Sequence, residues 1–380
     1  MPVKIHSCLV QGIQGHLVEV EADILNGLSA FTIVGLGDTS VQESKERIRS
    51  AIRATNCQYP TQKKVINLAP ASLHKHGPSF DLPIAIALLA ASKQIPLAAL
   101  DKSLFIGELA LSGEVRPIRG IITILLYARQ NGWKKVYLPA ANLIEARLVK
   151  DIFIEPVSSL QELVEHLNNQ TPLPKIEIHK AYPAQIESEN LYSQIQGQES
   201  AKRALQISAA GGHHLLLYGP PGIGKTMLAK SLLEILPPLT TEELLETIQI
   251  YSSAGKHFPT DQKIINRPYR ELSQTISLPG LLGGGIPARP GEISLAHNGI
   301  LFMDEFAEFP RNILESLRQP LEEKQITISR LSNNSRHSTS AEQLHFPARF
   351  TLIAAMNPCP CGFSGDPEIP CQCSAFTITN

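Results

Sequence analysis

The chain has 380 residues, 43% hydrophobic and 18% charged, with a formal net charge of −1. This is the composition of a globular protein long enough for two domains; it excludes a disordered polyelectrolyte and a globally basic nucleic-acid binder. No apolar run approaches the roughly 18–20 residues that span a bilayer, and the N-terminal MPVKIHSCLVQG lacks the apolar centre of a signal peptide, so a cytoplasmic protein with no membrane partner is expected.

From Val3 to about Leu167 strand-like and helix-like pieces alternate, as an α+β or α/β domain requires. Leu17–Val20, Ala30–Val34 and Val65–Leu68 read as strands, and Val41–Ile52 places Val41, Ile48 and Ile52 on one helical face. GLGDTS at Gly35–Ser40 lacks the third glycine of a dinucleotide fingerprint and is set aside. HGPSFDLPIAIALLAAS predicts a loop, with Ser79 as a helix N-cap, followed by an apolar helix to about Ser92. Leu104–Leu111 and Lys135–Leu138 read as strands on either side of a helix at Ile121–Asn131. Residues 169–190 carry Pro172, Pro174 and Pro183 among polar residues without periodicity, which predicts a linker between domains at 1–168 and 191–380.

Ile195–His214 reads as a helix leading into LLLYGPPGIGKTMLAKSLLEIL, residues 215–236. Four apolar residues, a glycine turn fitting G-x-x-x-x-G-K-[ST] and a helical apolar spacing give the strand–loop–helix context of a P-loop. Gly219, Pro220, Pro221, Gly222, Ile223 and Gly224 would form the cradle, with backbone amides and a helix N-terminus facing phosphate. Lys225 would place a full charge on the β- and γ-phosphates of ATP, and the Thr226 hydroxyl would ligate Mg²⁺. GILFMDEF at Gly299–Phe306 is a buried strand ending in two acids; Asp304 would complete the Mg²⁺ shell and Glu305 would polarise the attacking water. Phe350–Met356 predicts a third strand, ending at Asn357 where a γ-phosphate would be sensed.

Two stretches are locally basic. Residues 256–291 hold Lys256, Lys263, Arg267, Arg270 and Arg289 against Asp261 and Glu271, a net of +3. Residues 324–349 hold Lys324, Arg330, Arg336 and Arg349 against Glu342, again +3, and Gln325–Arg330 alternates like a hairpin strand. Arg267, Arg270, Arg289, Arg330 and Arg336 are therefore candidate contacts to DNA phosphates; ordinary solvated loops are the alternative. Cys8 and Cys57 are isolated, whereas Cys359, Cys361, Cys371 and Cys373 form two C-x-C pairs that suit either Zn²⁺ or a loop of reduced thiols.

The first half resembles the Lon-protease-like domain. GPS at Gly77–Ser79 stands where that family keeps its nucleophilic serine, and GELALSGEVRPIRGIITILLYA at Gly107–Ala128 is similar to the segment carrying its lysine. Aligned through P-I-x-G, the lysine position falls on Ile122, so the resemblance implies a non-proteolytic domain. The second half resembles AAA+ ATPases. RPGEISLAHNGILFMDEFAEF, ESLRQPLEE and AAMNPCPCG make the whole chain similar to the magnesium-chelatase-like ComM/YifB family. That resemblance implies an α/β P-loop domain with a parallel sheet, hexameric rings, ATP hydrolysis, DNA binding and branch migration in natural transformation. A protein-remodelling motor and a nucleotide-dependent assembly module remain alternatives. Members commonly carry P-H-H after R-P-[FY]-R, where this chain has Glu271, Leu272, Ser273 and Gln274. They also continue into a helical lid bearing arginines, so weak hydrolysis is expected of a chain ending at Asn380.

Overall fold

The computed structural model describes every residue except 1, 36, 38, 76, 174–190, 257, 259–265, 286, 287, 332–340, 366, 368 and 376–380; for residues 39, 40, 330, 331, 341 and 342 it describes the backbone alone. The chain divides into two compact units, Met1–Ala181 and Tyr182–Asn380. No described helix is long and apolar enough to cross a membrane.

The first unit is built on strands β1 (Val3–Gln11), β2 (Gln14–Leu25), β3 (Phe31–Val34), β4 (Lys63–Ala69) and β5 (Ser103–Phe105), the short ribbon β6 (Glu108–Leu109) with β7 (Val115–Arg116), and β8 (Lys135–Pro139) and β9 (Phe153–Val157). Seven of them form one sheet in the order β3-β4-β2-β1-β5-β8-β9. β1 and β2 pair antiparallel from Val3↔Ala22 to Gln11↔Gln14, leaving a two-residue turn in which Gly12 takes φ 59°. Val18, Val20 and Ala22 are buried while Lys4 pairs with Glu19 across the hairpin at 2.7 Å, the alternation of a sheet with one face on the core. Helices α1 (Thr39–Ala54) and α2 (Asp81–Ala91) close that core, and α2 is buried along nearly its whole length, as its uniformly apolar sequence demands. Helix α3 (Ile121–Gln130), the one-turn α4 (Leu143–Ala146) and α5 (Leu160–Leu167) complete the unit.

Two local expectations change. The strand predicted over Leu104–Leu111 breaks at Gly107, where an added Cβ would lie 2.8 Å from Val115 and 3.2 Å from Leu82; β5 stays in the main sheet while β6 turns away to meet β7. Ser79 is not the helix cap. It lies inside a 3₁₀ turn, Pro78–Phe80, begun by Gly77 at φ 81°, and its carbonyl accepts the Gly107 amide at 3.1 Å. The helix therefore starts at Asp81, whose carboxylate accepts from Arg47 Nε at 2.7 Å and Nη2 at 3.2 Å and from the Leu109 amide at 3.3 Å. Burial pushes the Asp81 pKa up, against the pull of Arg47 and Ser44. The bidentate geometry identifies the carboxylate as ionised within a pair. Ile122 fills a core position on α3 with no exposed surface.

The second unit opens with α6 (Leu191–Gln194) and α7 (Glu199–Gly211), the latter shorter than the sequence suggested because Gln198 and Gly212 are both left-handed. Its sheet consists of β10 (Leu215–Tyr218), β11 (Tyr269–Glu271), β14 (Ile300–Met303) and β17 (Thr351–Met356), all parallel, in the order β10-β17-β14-β11. Parallel neighbours need crossovers, supplied in part by α8 (Lys225–Ile235) and α9 (Thr241–Ser253). Alternate residues face opposite layers: Leu217, Phe302, Ile353 and Ala355 pack on α7 and α8, whereas Leu301 and Met303 pack on Leu281, Ile293 and Ile313. Two ribbons complete the unit, β12 (Gly283–Gly284) with β13 (Arg289–Pro290) and the hairpin β15 (Gln325–Leu331) with β16 (Ala341–Pro347), the latter confirming the alternation in QITISR.

A buried polar knot joins α9 to the amino ends of β14 and β17. His297 Nδ1 accepts from the Arg349 amide at 3.0 Å, so its ring proton lies on Nε2 and is donated to Glu246 at 3.1 Å. The Asn298 amide donates to the Arg349 carbonyl at 2.6 Å, and Arg267 donates to the Asn298 carbonyl at 2.7 Å and to Glu243 at 3.0 Å. Glu243 also closes a capping box with Thr240 at the start of α9.

Two outcomes are expected. Arg47→Met leaves the Asp81 carboxylate buried without its counter-ion and should destabilise the first unit by about 3–5 kcal/mol, with Arg47→Met/Asp81→Leu recovering most of the loss. Urea unfolding followed by Trp133, the chain's one tryptophan, checks this. In the second unit burial holds the His297 pKa below its ordinary 6.5 in spite of Glu246. The unfolded chain then binds the extra proton first, so stability is complete above about pH 6.5 and falls as the pH drops through that value. Exchange of the β14 and β17 amides, corrected for intrinsic rates, should accelerate on acidification, and less so in His297→Asn.

Candidate functional site

The carboxyl ends of β10, β14 and β17 lie side by side, and the residues that follow them are Gly219, Asp304 and Asn357. This is the end of an open parallel sheet at which ligands bind. The turn after β10 is shaped by glycine: Gly222 and Gly224 take φ 82° and 87°, a region from which a Cβ excludes other residues. Residues 221–224 are exposed, whereas Lys225 and Thr226 are half-buried at the head of α8. Lys225 Nζ donates to the carbonyls of Gly219 at 2.8 Å and Pro220 at 2.9 Å and to Asn357 Oδ1 at 2.9 Å. Burial pulls the Lys225 pKa below the ordinary lysine value, while the fields of Asp304 and Glu305 push it back up. The ammonium, both acids and the asparagine therefore belong to one site.

Thr226 Oγ1 donates to Asp304 Oδ2 at 3.1 Å, and the other carboxylate oxygen of Asp304 accepts the Glu305 amide at 2.9 Å. A hydroxyl and a carboxylate in contact are hard oxygen donors of the kind Mg²⁺ takes, with water or phosphate completing the shell; the donor set fits that ion. Glu305 stands apart. Its backbone is left-handed at φ 50°, its side chain is exposed, and its carboxylate accepts a hydrogen bond from Gln274 Nε2. A non-glycine residue at positive φ marks a position held by its surroundings. Gln274 was not singled out by the sequence reasoning as a site residue.

The five candidate DNA arginines do not form one group. Arg267 is only 13% exposed, ties down the carbonyls of Pro237 and Asn298 and pairs with Glu243. Arg270 pairs with Glu292 at 2.5 Å. Both are committed within the fold, where a count of charges along the sequence could not see their partners. Arg289 is exposed on the β12–β13 ribbon. Arg330 is in β15, its backbone opposite Glu342 and its side chain undescribed, and Arg336 lies outside the described residues. The four clustered cysteines do converge: Sγ atoms of Cys359, Cys361, Cys371 and Cys373 all lie within 4.8 Å of one another.

Residues 191–380 match the family described as magnesium chelatase, subunit ChlI, and residues 20–142 match that described as subunit ChlI of Mg-chelatase. The competence protein ComM of Haemophilus influenzae is 42% identical over 361 residues, covering 94% of this chain and 69% of its own length. The protein YifB of Escherichia coli is 41% identical over 358 residues, covering 94% and 68%. A more distant similarity, 29% over 163 residues, is to Lon protease 1 of Hydrogenovibrio crunogenus, of which it covers 20%. The matches span both units of the chain, and identity above 40% extends across nearly all of it. This chain belongs to the ComM/YifB family of magnesium-chelatase-like AAA+ proteins.

Proposed function

We propose that the chain binds and hydrolyses Mg²⁺-ATP at the carboxyl end of the β10–β17–β14 sheet, as the motor of a ring, hexameric by family, that acts on DNA in the cytoplasm. The observation that carries the nucleotide reading is the meeting of Lys225 with Asn357 and of Thr226 with Asp304 across strands far apart in sequence. In this reading the amides of Gly222, Ile223, Gly224, Lys225 and Thr226 line the phosphates, Gly219, Pro220 and Pro221 shape the turn that presents them, and Lys225 sets its charge against them. Thr226 and Asp304 hold Mg²⁺, which when bound neutralises charge on the transferring phosphate. Glu305 takes the proton of the attacking water once Gln274 lets it turn inward, and Asn357 orients on the γ-phosphate. Zn²⁺ is the metal we assign to the four cysteines, because thiolates select soft ions and leave Mg²⁺ to oxygen.

DNA as partner is supported by the name of the competence relative, by exposed Arg289 and by the β15–β16 hairpin with Arg330 on it. The domain that carries Ile122 in the lysine position is, in the same reading, a non-proteolytic Lon-like body at 1–168, joined through 169–190 to the ATPase at 191–380.

Binding of a fluorescent ATP analogue and steady-state turnover test this. Lys225→Ala should weaken nucleotide binding about 10- to 100-fold, the worth of a hydrogen-bonded charge on phosphate. Glu305→Gln should keep binding and lower turnover about 10²- to 10⁴-fold. Gln274→Ala, removing a latch worth about 1 kcal/mol, should raise basal turnover up to about fivefold without changing affinity. Single-stranded or branched DNA should stimulate turnover, and the stimulation should fall with salt. Turnover that ignores DNA and responds to a protein partner would replace the DNA reading with that of a protein-remodelling motor.

A further inference from the structure

Two residues beyond Asn357, the chain enters the cysteine loop. Cys359 Sγ lies 3.3 Å from Cys361 Sγ and 3.6 Å from Cys371 Sγ, and Cys361 and Cys371 are 3.6 Å apart. Four sulfurs on a tetrahedral zinc ion at Zn–S ≈ 2.3 Å stand about 3.8 Å from one another, close to the separations seen here. All four cysteines are free of disulfides. Backbone amides already point at the sulfurs: Cys373 N–H donates to Cys371 Sγ at 3.4 Å, and the amides of Phe363 and Gln372 donate to Cys361. Amide donors around thiolates are the outer layer of a metal–sulfur site.

The described part of this loop has almost no core of its own. Between Cys359 and Ala375 only Cys359 and Gly362 are buried, and the loop contains no strand and no full helix among its described residues. A module this small holds one shape only with a staple. Its shape matters because of where it lies. The Gly362 amide donates to the Cys359 carbonyl at 2.8 Å, closing a turn in which Gly362 takes φ 85°. A Cβ added to Gly362 would stand 2.5 Å from Cδ and 3.0 Å from Cγ of Pro221. The turn from Cys359 to Gly362, which holds the first two cysteines, is therefore pressed directly on the phosphate loop. The same segment carries Asn357 onto Lys225 at 2.9 Å, and the Met356 carbonyl accepts the Gly219 amide at 3.3 Å.

We propose that one Zn²⁺ held by Cys359, Cys361, Cys371 and Cys373 is the brace of the nucleotide loop: the metal fixes the turn that supports Pro221 and sets Asn357 against Lys225. This rests on the assignment of zinc to the quartet and extends it from a structural metal to a control point for the P-loop. Loss of the metal, by chelation or by oxidation of the thiolates, would loosen residues 219–226 and the Asn357–Lys225 contact while every side chain of the nucleotide site stays chemically intact.

The test uses the full chain and does not depend on nucleotide. Elemental analysis of the purified protein should give one zinc per chain, and replacement by Co²⁺ should produce the visible bands of tetrahedral thiolate coordination. Amide exchange is then measured on the zinc-loaded protein, after stripping with a thiol-reactive mercurial, thiol and chelator, and after zinc is returned. Exchange should quicken severalfold at residues 219–226 and 356–362 on stripping, stay unchanged in β1 and β2, and reverse on reloading. Pro221→Ala should keep full zinc content and still quicken exchange in the P-loop. No zinc, with no Co²⁺ spectrum, would overturn the metal site. Stoichiometric zinc with P-loop exchange indifferent to its removal would overturn the brace. Failure of zinc-loaded protein to bind an ATP analogue would count against the nucleotide reading alone, since exchange reports the brace independently.

Discussion

The registration of three parallel strands decides everything at the site. Tyr218 pairs with Met356 and Met303 with Ala354, so the chain leaves the sheet at Gly219, Asp304 and Asn357 within one cluster. A slip of one residue would turn each of these side chains to the opposite face. The register is fixed at the other end of the strands. Gly299 packs so closely on Pro268 that a Cβ would stand 2.0 Å from the Pro268 carbonyl, which accepts the Ile300 amide at 2.8 Å. His297 and Asn298 tie the same corner to Arg349, just before β17. Polar bonds at the amino ends thus set the alignment of the carboxyl ends, and a partly broken network there would be costly because His297 and Asn298 are shut away from water.

What the sequence made legible was whatever is local and contiguous. The glycine turn announces itself because Gly222 and Gly224 occupy backbone space closed to other residues, and the flanking apolar runs mark strand and helix without reference to anything distant. Asp304 and Glu305 were legible for the same reason, as acids at the end of an apolar run. Hidden were contacts across long separations. Asn357 lies 132 residues from the lysine it meets, and what marked it was its place at the end of an apolar run, not the contact itself. Gln274 meets Glu305 across 31 residues with no motif to mark it. Arg267 and Arg270 looked like free cations because Glu243 and Glu292, their counter-ions, lie 24 and 22 residues away in the chain. Ser79 failed as a cap because Arg47 draws Asp81, not the serine, to the head of the helix.

Buried charges in the first unit follow the same logic. Lys75 is fully buried and donates its ammonium to the Pro70 carbonyl, and burial holds its pKa below the ordinary lysine value. A lysine of that kind in a cleft is a candidate base. Here an ammonium N–H is directed at a backbone carbonyl, while Ile122, on which the resemblance puts the lysine position, is packed in the core.

The two acids at the end of β14 are adjacent in sequence and held in opposite ways. Both carboxylate oxygens of Asp304 are engaged by donors close at hand, the Thr226 hydroxyl and the Glu305 amide, so its position is set by the fold. Among the described residues Glu305 has an exposed side-chain partner, Gln274, and it sits on a backbone conformation that costs a non-glycine residue on the order of 1–3 kcal/mol. Such a conformation persists because the same turn that strains Glu305 delivers its amide to Asp304. The strain and the fixed carboxylate have one cause. A rigid acid suited to a metal therefore stands beside an acid whose exposed side chain is held by a hydrogen bond to Gln274; in the proposed reading that is the division between a ligand that must stay and a base withheld until its substrate is in place.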